Sequence, residues 1–134
     1  MKKIISLFSL LLFVGLVFTS CKKDEPTVIN ATDFVGTFEY TVYSKWANGS
    51  TIGTVDATTN KGNMNYTLVS QNITGAIAIN ATTGQITLAD KSALNKSSIC
   101  KGKDGRLTSV VKITNGSVTR DINVTITLTE WCNR

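Results

Sequence analysis

Histidine is absent from the 134 residues of the sequence, and the nine acidic residues are dispersed along the chain. The missing imidazole removes the side chain that most often serves as a general base or a metal ligand near neutral pH. The sequence also lacks a Gly-x-Ser-x-Gly nucleophile elbow and a phosphate-binding glycine loop. These absences predict a protein that is not an enzyme and that uses no cofactor.

Proline occurs once, and aromatic residues make up only 7% of the chain. The 14 Lys and Arg residues give a net charge of +5, but they are scattered and form no stripe interleaved with aromatic side chains. Nucleic-acid binding, which needs a concentrated basic surface, is therefore not expected. The scarcity of proline argues for a folded domain rather than a disordered chain.

The N-terminal residues predict a helical signal peptide. Met1-Lys2-Lys3 is positively charged and leads into the apolar run Ile4–Phe18, which is too short and too one-sidedly flanked for a stable membrane-spanning helix. A plain secreted protein and an uncleaved single-pass anchor are the alternative interpretations of this run.

The end of the run, Phe18-Thr19-Ser20-Cys21, resembles the lipobox of bacterial lipoproteins. That resemblance implies that the signal peptide 1–20 is removed and that Cys21 carries a diacylglycerol thioether and an acylated amino group. Acyl chains of this kind would anchor the protein to a membrane effectively permanently.

The next four residues, Lys22-Lys23-Asp24-Glu25, bear on location. They resemble the lysine-and-acid tag of surface-exposed lipoproteins in some Gram-negative bacteria, which implies display on the cell surface at the outer membrane. A solvated tether that only keeps the domain off the headgroups is the alternative role for these residues, and the periplasmic face is the alternative location. The chain then divides into the signal peptide 1–20, a lipidated N-terminus and tether 21–33, and one folded domain 34–134.

Apolar and polar side chains alternate through residues 34–134, with turn residues at short intervals. About seven short strands of this kind predict an all-β fold, a single antiparallel β-sandwich. Asn48-Gly49 is a tight hairpin-turn sequence that would join the first strand to the strand 51–58, and a β-bulge is expected near Gly53. One face of the first strand carries Phe38, Tyr40 and Val42.

The clearest hairpin lies near the C-terminus. A two-residue loop at Asn115-Gly116 would pair Thr114 with Ser117. The inward-facing side chains of its two strands would be Leu107, Ser109, Val111 and Ile113, then Val118, Ile122, Val124, Ile126 and Leu128.

The same register brings Cys100 to within one residue of Cys132. Once Cys21 carries lipid, these two cysteines are an even pair in an oxidising compartment. A Cys100–Cys132 disulfide is therefore predicted, although the turn at residues 101–105 could instead carry Cys100 away.

The middle of the chain resembles a cadherin-type repeat over residues 50–128. The motifs are Gly53-Thr54-Val55-Asp56-Ala57-Thr58, Tyr66-Thr67-Leu68, the segment from Ala78 to Ile86 with its Thr83-Gly84 pair, and Val110–Asn115 followed by Val124-Thr125-Ile126. The resemblance implies a cadherin-like sandwich and a role in adhesion.

The sequence departs from that family at the calcium ligands. The acidic motif after the second strand is replaced by Thr59-Asn60-Lys61, and Leu88-Ala89-Asp90-Lys91-Ser92 stands where the family has Asp-Arg-Glu. Calcium takes six to eight oxygen ligands, which Asp56 and Asp90 alone cannot supply. No metal site is therefore predicted.

The anchor and the sandwich together predict a surface lipoprotein that presents a non-catalytic binding or adhesion module to a protein or a glycan. Tyr43 and Trp46, beside the Asn48-Gly49 turn, are the candidate binding surface, because an exposed aromatic pair can stack on a sugar or on a partner. Capping of the core is the alternative role for this pair.

Two other functions stay open at this point. Phe34-Val35-Gly36-Thr37-Phe38 faintly resembles the Gly-x-Trp opening of lipocalin-like barrels, which implies a small barrel around an apolar ligand, although the chain is short for one. The other alternative is a structural accessory subunit of an outer-membrane complex.

Overall fold

A computed structural model of the chain describes residues 23–133, without the side chains of Ser98 and Lys101. The signal peptide 1–20 and the lipobox with Cys21 lie outside the described residues. The strands are β1 (Ile29–Ala31), β2 (Phe34–Glu39), β3 (Thr51–Thr54), β4 (Ala57–Thr59), β5 (Asn65–Gln71), β6 (Ile77–Ile79), β7 (Gln85–Leu88), β8 (Cys100–Lys101), β9 (Asp104–Asn115) and β10 (Val118–Thr129). The helical segments are α1 (Tyr40–Ser44), α2 (Lys96–Ile99) and two 3-10 turns, Lys91–Ala93 and Trp131–Asn133.

Two main sheets enclose the core. The larger sheet has the order β2-β10-β9-β5, with β8 added beside β9, and the smaller sheet has the order β3-β7-β6. Strands β1 and β4 form a separate antiparallel pair. Both sheets contribute to the most deeply buried side chains, which include Ile86, Leu88, Ile113, Ile126 and Leu128. The prediction of an all-β sandwich is confirmed, and the lipocalin-like alternative is wrong, because side chains fill the space that a ligand would occupy in a barrel.

The β9–β10 hairpin has the predicted faces but not the predicted register. Asn115 pairs with Val118, so that the loop is Gly116-Ser117 and the predicted pairing of Thr114 with Ser117 is wrong. Gly116, with φ of 59°, is a residue that adopts the left-handed conformation without strain at the start of such a turn. The pairing shifts by two residues, because Thr114 lies opposite Thr119 rather than Ser117. A shift by an even number leaves every side chain on its predicted face.

Strand β2 corrects the predicted first hairpin. It pairs in parallel with β10, from Phe34 beside Val124 to Glu39 beside Thr129, and not with β3. The ladder ends there because β10 itself ends at Thr129, and the chain satisfies its next backbone groups by coiling into α1. Tyr40 and Val42 therefore lie on a short helix rather than on a strand, and the turn at Asn48-Gly49 leads into the opposite sheet.

The folded domain begins before residue 34. Ile29 and Ala31 are buried, and β1 pairs with β4 from Ile29 beside Thr59 to Ala31 beside Ala57. The predicted tether 21–33 is thus partly a strand of the sandwich. The alternating stretch from Val28 to Ala31 is too short to predict a strand from the sequence, and only its pairing with β4 identifies it as one.

The predicted bulge in β3 is present. The register of β3 against β7 shifts between Thr51 and Gly53, and the ring of Phe34 from the other sheet lies against Gly53. A Cβ at Gly53 would lie 2.5 Å from two ring carbons of Phe34. The glycine is therefore required for the close approach of the two sheets at this point.

We expect Gly53→Ala to lower the free energy of unfolding by about 1–3 kcal/mol, because the added methyl group must displace the Phe34 ring. Urea denaturation of the oxidised protein measures the change. Thr54→Ala, at an exposed position of the same strand, is the control. A Gly53→Ala variant as stable as the control would show that the two sheets have room to separate.

Candidate binding surfaces

The aromatic pair predicted as a binding surface is packed into one end of the domain. Tyr43 is only 1% exposed, so that the prediction of an exposed pair is wrong. Its ring contacts those of Trp46 and Trp131 at centroid distances of 5.1 and 6.3 Å, edge to face. Trp46 is half-buried and packs on Phe38 at 4.8 Å. The alternative role, that of capping the core, is the one that the structure supports.

The Tyr43 hydroxyl is buried without a hydrogen-bond partner among the described residues. Burial raises the pKa of Tyr43 to about 12, because the phenolate would lose its hydration. An unpaired hydroxyl in this position costs free energy rather than contributing it. The ring, through its packing, is the part of this side chain that stabilises the fold.

Lys91 holds this aromatic end together, a role that its position in the sequence does not predict. Its ammonium donates hydrogen bonds to the carbonyl oxygens of Tyr43, Ser44 and Trp46, at 3.3, 2.8 and 2.8 Å. The same nitrogen lies 5.3 Å from the centroid of the Tyr43 ring. A lysine is well suited to the carbonyls at and beyond the C-terminal end of α1, where the helix dipole is negative.

Asp90, in the segment that departs from the calcium motif of cadherin-type repeats, also has a local role. Its Oδ1 accepts hydrogen bonds from the backbone nitrogen and the hydroxyl of Ser92, at 2.9 and 2.6 Å. These bonds hold the pKa of the Asp90 carboxyl below its usual value, with the Ser92 hydroxyl as the largest cause. The carboxylate caps a 3-10 turn, and no group of three or more His, Cys, Asp or Glu side chains that could hold a metal occurs within residues 23–133.

The Cys100–Cys132 disulfide is present. Strand β8 folds back on β9 so that Cys100 pairs with Gly105, and the backbone nitrogen of Cys132 donates to the carbonyl of Lys103 at 2.9 Å. The predicted turn at 101–105 therefore brings Cys100 to its partner instead of carrying it away. Closing a loop with a sequence separation of 32 stabilises the fold by very roughly 3–4 kcal/mol in the chain-entropy account.

A second surface lies on the solvent side of the larger sheet. A shallow depression of about 490 Å³ lies over the end of β5 and the middle of β9 and β10. Cross-strand pairs place Asn123 beside Val110 and Thr125 beside Thr108. We call this surface the polar face and define it by its outward-facing side chains, Ser70, Thr108, Val110, Asn123 and Thr125.

Side-chain hydrogen bonds extend the sheet at both edges of the polar face. The Asn72 amide accepts from Thr108 N at 2.9 Å and donates to the carbonyl of Arg106 at 3.0 Å. On the other edge, the Asp33 carboxylate accepts from the backbone and side-chain nitrogens of Asn123, at 2.8 and 3.2 Å. The backbone bond is the largest cause of the lowered pKa of Asp33. Because its backbone groups are paired in this way, the polar face is a fixed surface on which hydroxyl and amide groups surround the Val110 side chain.

No helix within residues 23–133 is long and apolar enough to cross a membrane.

No protein-family model and no curated protein sequence matches the chain. Solved structures are similar to it in fold. Drosophila N-cadherin EC1-3 has a TM-score of 0.56 and 19% identity, and the match covers 78% of this chain and 34% of that one. For the human desmocollin-1 ectodomain, the TM-score is 0.57, the identity 17%, and the coverage 78% and 20%. Protocadherin gammaB7 EC3-6 has a TM-score of 0.57 and 14% identity, and the match covers 78% of this chain and 23% of that one.

These similarities show that the domain is a cadherin-like β-sandwich. The chain spans about a third or less of the length of the solved chains that it matches. The fold implied by Tyr66-Thr67-Leu68 and the other sequence motifs is confirmed.

We expect Tyr43→Phe to raise the free energy of unfolding at pH 7 by about 1 kcal/mol, because the variant removes an unpaired buried hydroxyl and keeps the ring. Tyr43→Ala should lower it by about 3–5 kcal/mol through loss of the ring. Urea titrations of both variants test the packing role, and a Tyr43→Phe variant less stable than the wild type would reveal a partner for the hydroxyl.

Tyr43→Phe should also change how the free energy of unfolding depends on pH in alkaline solution. The pKa of Tyr43 is raised from 10.0 to about 12. The part of the free energy of unfolding that depends on this pKa difference is therefore fully present below pH 10 and is lost as the pH rises towards 12. The slope reaches about 1.4 kcal/mol per pH unit for one proton. In Tyr43→Phe this part of the slope should be missing between pH 10 and 12.

Proposed function

We propose that this protein is a membrane-anchored surface lipoprotein whose cadherin-like domain is a non-catalytic binding or adhesion module. The observation that carries the proposal is the cadherin-like sandwich itself, a fold that is typically non-catalytic. Its polar face leaves a fixed array of hydroxyl and amide groups open to solvent across the sheet, between Asn123 and Thr108.

The anchoring part of the proposal rests on the sequence. A charged start, an apolar run and a small residue immediately before Cys21 together support lipidation of this cysteine. Lys22-Lys23-Asp24-Glu25 supports display on the cell surface. With the acyl chains in the bilayer, the domain would be held at the membrane independently of any contact that it makes itself.

The polar face is the surface that we propose for binding, in place of the aromatic pair. Since Tyr43 and Trp46 are engaged in the core, stacking of a sugar on these rings does not fit the geometry. Threonine hydroxyls and asparagine amides instead suit a partner recognised through hydrogen bonds. A protein surface or a polar stretch of glycan has this chemistry.

Lipidation is tested by labelling intact cells with a palmitate analogue and by mass spectrometry of the N-terminal peptide. We expect a mature chain that starts at acylated Cys21, and loss of the label together with release from the membrane fraction in Cys21→Ala. Proteolysis of the same cells should remove the domain. Full protection from the protease would place the domain on the periplasmic side and contradict surface display.

Binding through the polar face is tested with a photo-crosslinking amino acid placed at Thr125 of the lipidated protein on intact cells. We expect adducts from Thr125 that are absent from Ala78, an exposed position on the smaller sheet, which is the matched control. Glycosidase and protease treatment of the adduct distinguish a glycan from a protein. Equal labelling from the two positions, or none from Thr125, would remove the polar face as the binding surface.

A further inference from the structure

The segment that leads from Cys21 to the domain is fastened to a loop of the domain. Val28 N donates a hydrogen bond to Oδ1 of Asn60 at 2.8 Å, and Nδ2 of Asn60 donates to the carbonyl of Pro26 at 3.0 Å. One side-chain amide thus satisfies both a donor and an acceptor of the segment, as a backbone partner would. The β1–β4 ladder is thereby extended beyond Ile29 and Thr59.

Neighbouring residues strengthen this attachment. Nζ of Lys61 donates to the carbonyl of Glu25. Asn115, at the end of β9, donates to the carbonyl of Lys61 and to Oγ1 of Thr59, the latter at 2.9 Å. The segment 25–28, the loop 60–63 and the turn 115–117 therefore form one connected end of the domain, which we call the clamped end.

The clamp limits how far the domain can stand from a lipid on Cys21. Lys22, Lys23 and Asp24 are the three residues between Cys21 and Glu25, and four steps of extended chain span about 14 Å. Without the clamp, the first fixed residue would be Ile29 in β1, and the reach would be about 27 Å. The clamp thus keeps Glu25 within about 14 Å of Cys21, which is about twice the depth of one headgroup region.

The composition of the clamped end suits contact with lipid headgroups. The loop 60–63 is Asn-Lys-Gly-Asn and the turn 115–117 is Asn-Gly-Ser, so that neither contains a carboxylate. Lys22, Lys23 and Lys61 outnumber Asp24 and Glu25. A lysine near an anionic bilayer surface is attracted to it, whereas small polar side chains cause little repulsion.

We propose that the clamped end rests against the lipid headgroups of the membrane that holds the acyl chains, and that Asn60 and Lys61 fix this orientation. The proposal rests on the proposed lipidation of Cys21. The 12 residues of β9 separate the two ends of the domain by roughly 37 Å. The end closed by the Cys100–Cys132 disulfide therefore points away from the membrane, and the polar face lies along the side.

The clamp is tested first in the mature lipidated protein in detergent micelles by hydrogen exchange at the Val28 amide. We expect exchange about fivefold to tenfold faster in Asn60→Ala, because the variant removes the acceptor of that amide. Asn63→Ala, at an exposed position of the same loop, is the matched control and should exchange like the wild type. An unchanged rate at Val28 in Asn60→Ala would overturn the clamp.

The orientation is tested by reconstituting the lipidated protein into vesicles of phosphatidylethanolamine and phosphatidylglycerol with nitroxide on a fraction of the headgroups. A bimane fluorophore is attached to Ser117→Cys at the clamped end or to Ala47→Cys at the opposite end, both exposed positions. We expect quenching at least twofold stronger at position 117. Adding Asn60→Ala should reduce that ratio towards one, and Asn63→Ala should leave it unchanged.

Mass spectrometry of the N-terminal peptide in the same samples separates the two proposals. Equal quenching at positions 117 and 47 in protein with acylated Cys21 overturns the orientation and leaves the anchor intact. An unmodified Cys21 in protein recovered from its native membrane overturns both.

Discussion

The pairing of β9 with β10 is the interaction on which the rest of the structure depends. These are the two longest strands, each of 12 residues, and they are joined by a two-residue turn, so that their contacts are the most local in the larger sheet. Every other strand of that sheet pairs with one of them: β2 with β10, and β5 and β8 with β9. Every second side chain is buried from Gly105 to Ile113 in β9 and from Ile122 to Leu128 in β10, and this alternation fixes which face receives the smaller sheet.

The two ends of this hairpin are closed by different means. At the turn end, Asn115 joins the hairpin to the loop that carries Asn60 and Lys61. At the open end, the disulfide joins Cys132 to β8, and the Trp131 ring covers Gly105. A small domain has a limited core, and the covalent link at the open end compensates for strands that would otherwise separate there.

Features that depend on local alternation could be predicted from the sequence, and features that depend on distant partners could not. The faces of β9 and β10, the bulge at Gly53 and the Cys100–Cys132 pair follow from side-chain period, an interrupted pattern and cysteine number. The parallel pairing of β2 with β10 does not, because Asn48-Gly49 is equally good as a turn between sheets. Lys91 begins a 3-10 turn and Asn60 lies in a loop. Their structural roles depend on carbonyl oxygens that are remote in sequence, which local patterns do not reveal.

The misassigned aromatic pair shows why burial at a domain end is difficult to predict. Tyr43 and Trp46 follow a strand and precede a turn, where exposed and buried rings have the same sequence pattern. In the fold, the Tyr43 ring packs against Trp131. Lys91, 45 or more residues away in sequence, binds the carbonyl oxygens of Tyr43 and Trp46. A contact of that separation leaves no trace in local periodicity.

The same lysine lies in the segment Leu88-Ala89-Asp90-Lys91-Ser92, which departs from the calcium motif of cadherin-type repeats. In this segment, Asp90 caps a turn and Lys91 supplies a positive charge to backbone carbonyls, which is the kind of oxygen ligand that a cation takes. The domain thus neutralises these oxygens with a side chain of its own. In the arrangement proposed above, the clamped end attaches the domain to the segment that follows Cys21. The hydrogen bonds of Asn60 and Lys61 to this segment then set the orientation of the domain on the membrane. In that orientation the polar face stays accessible along the side of the sandwich.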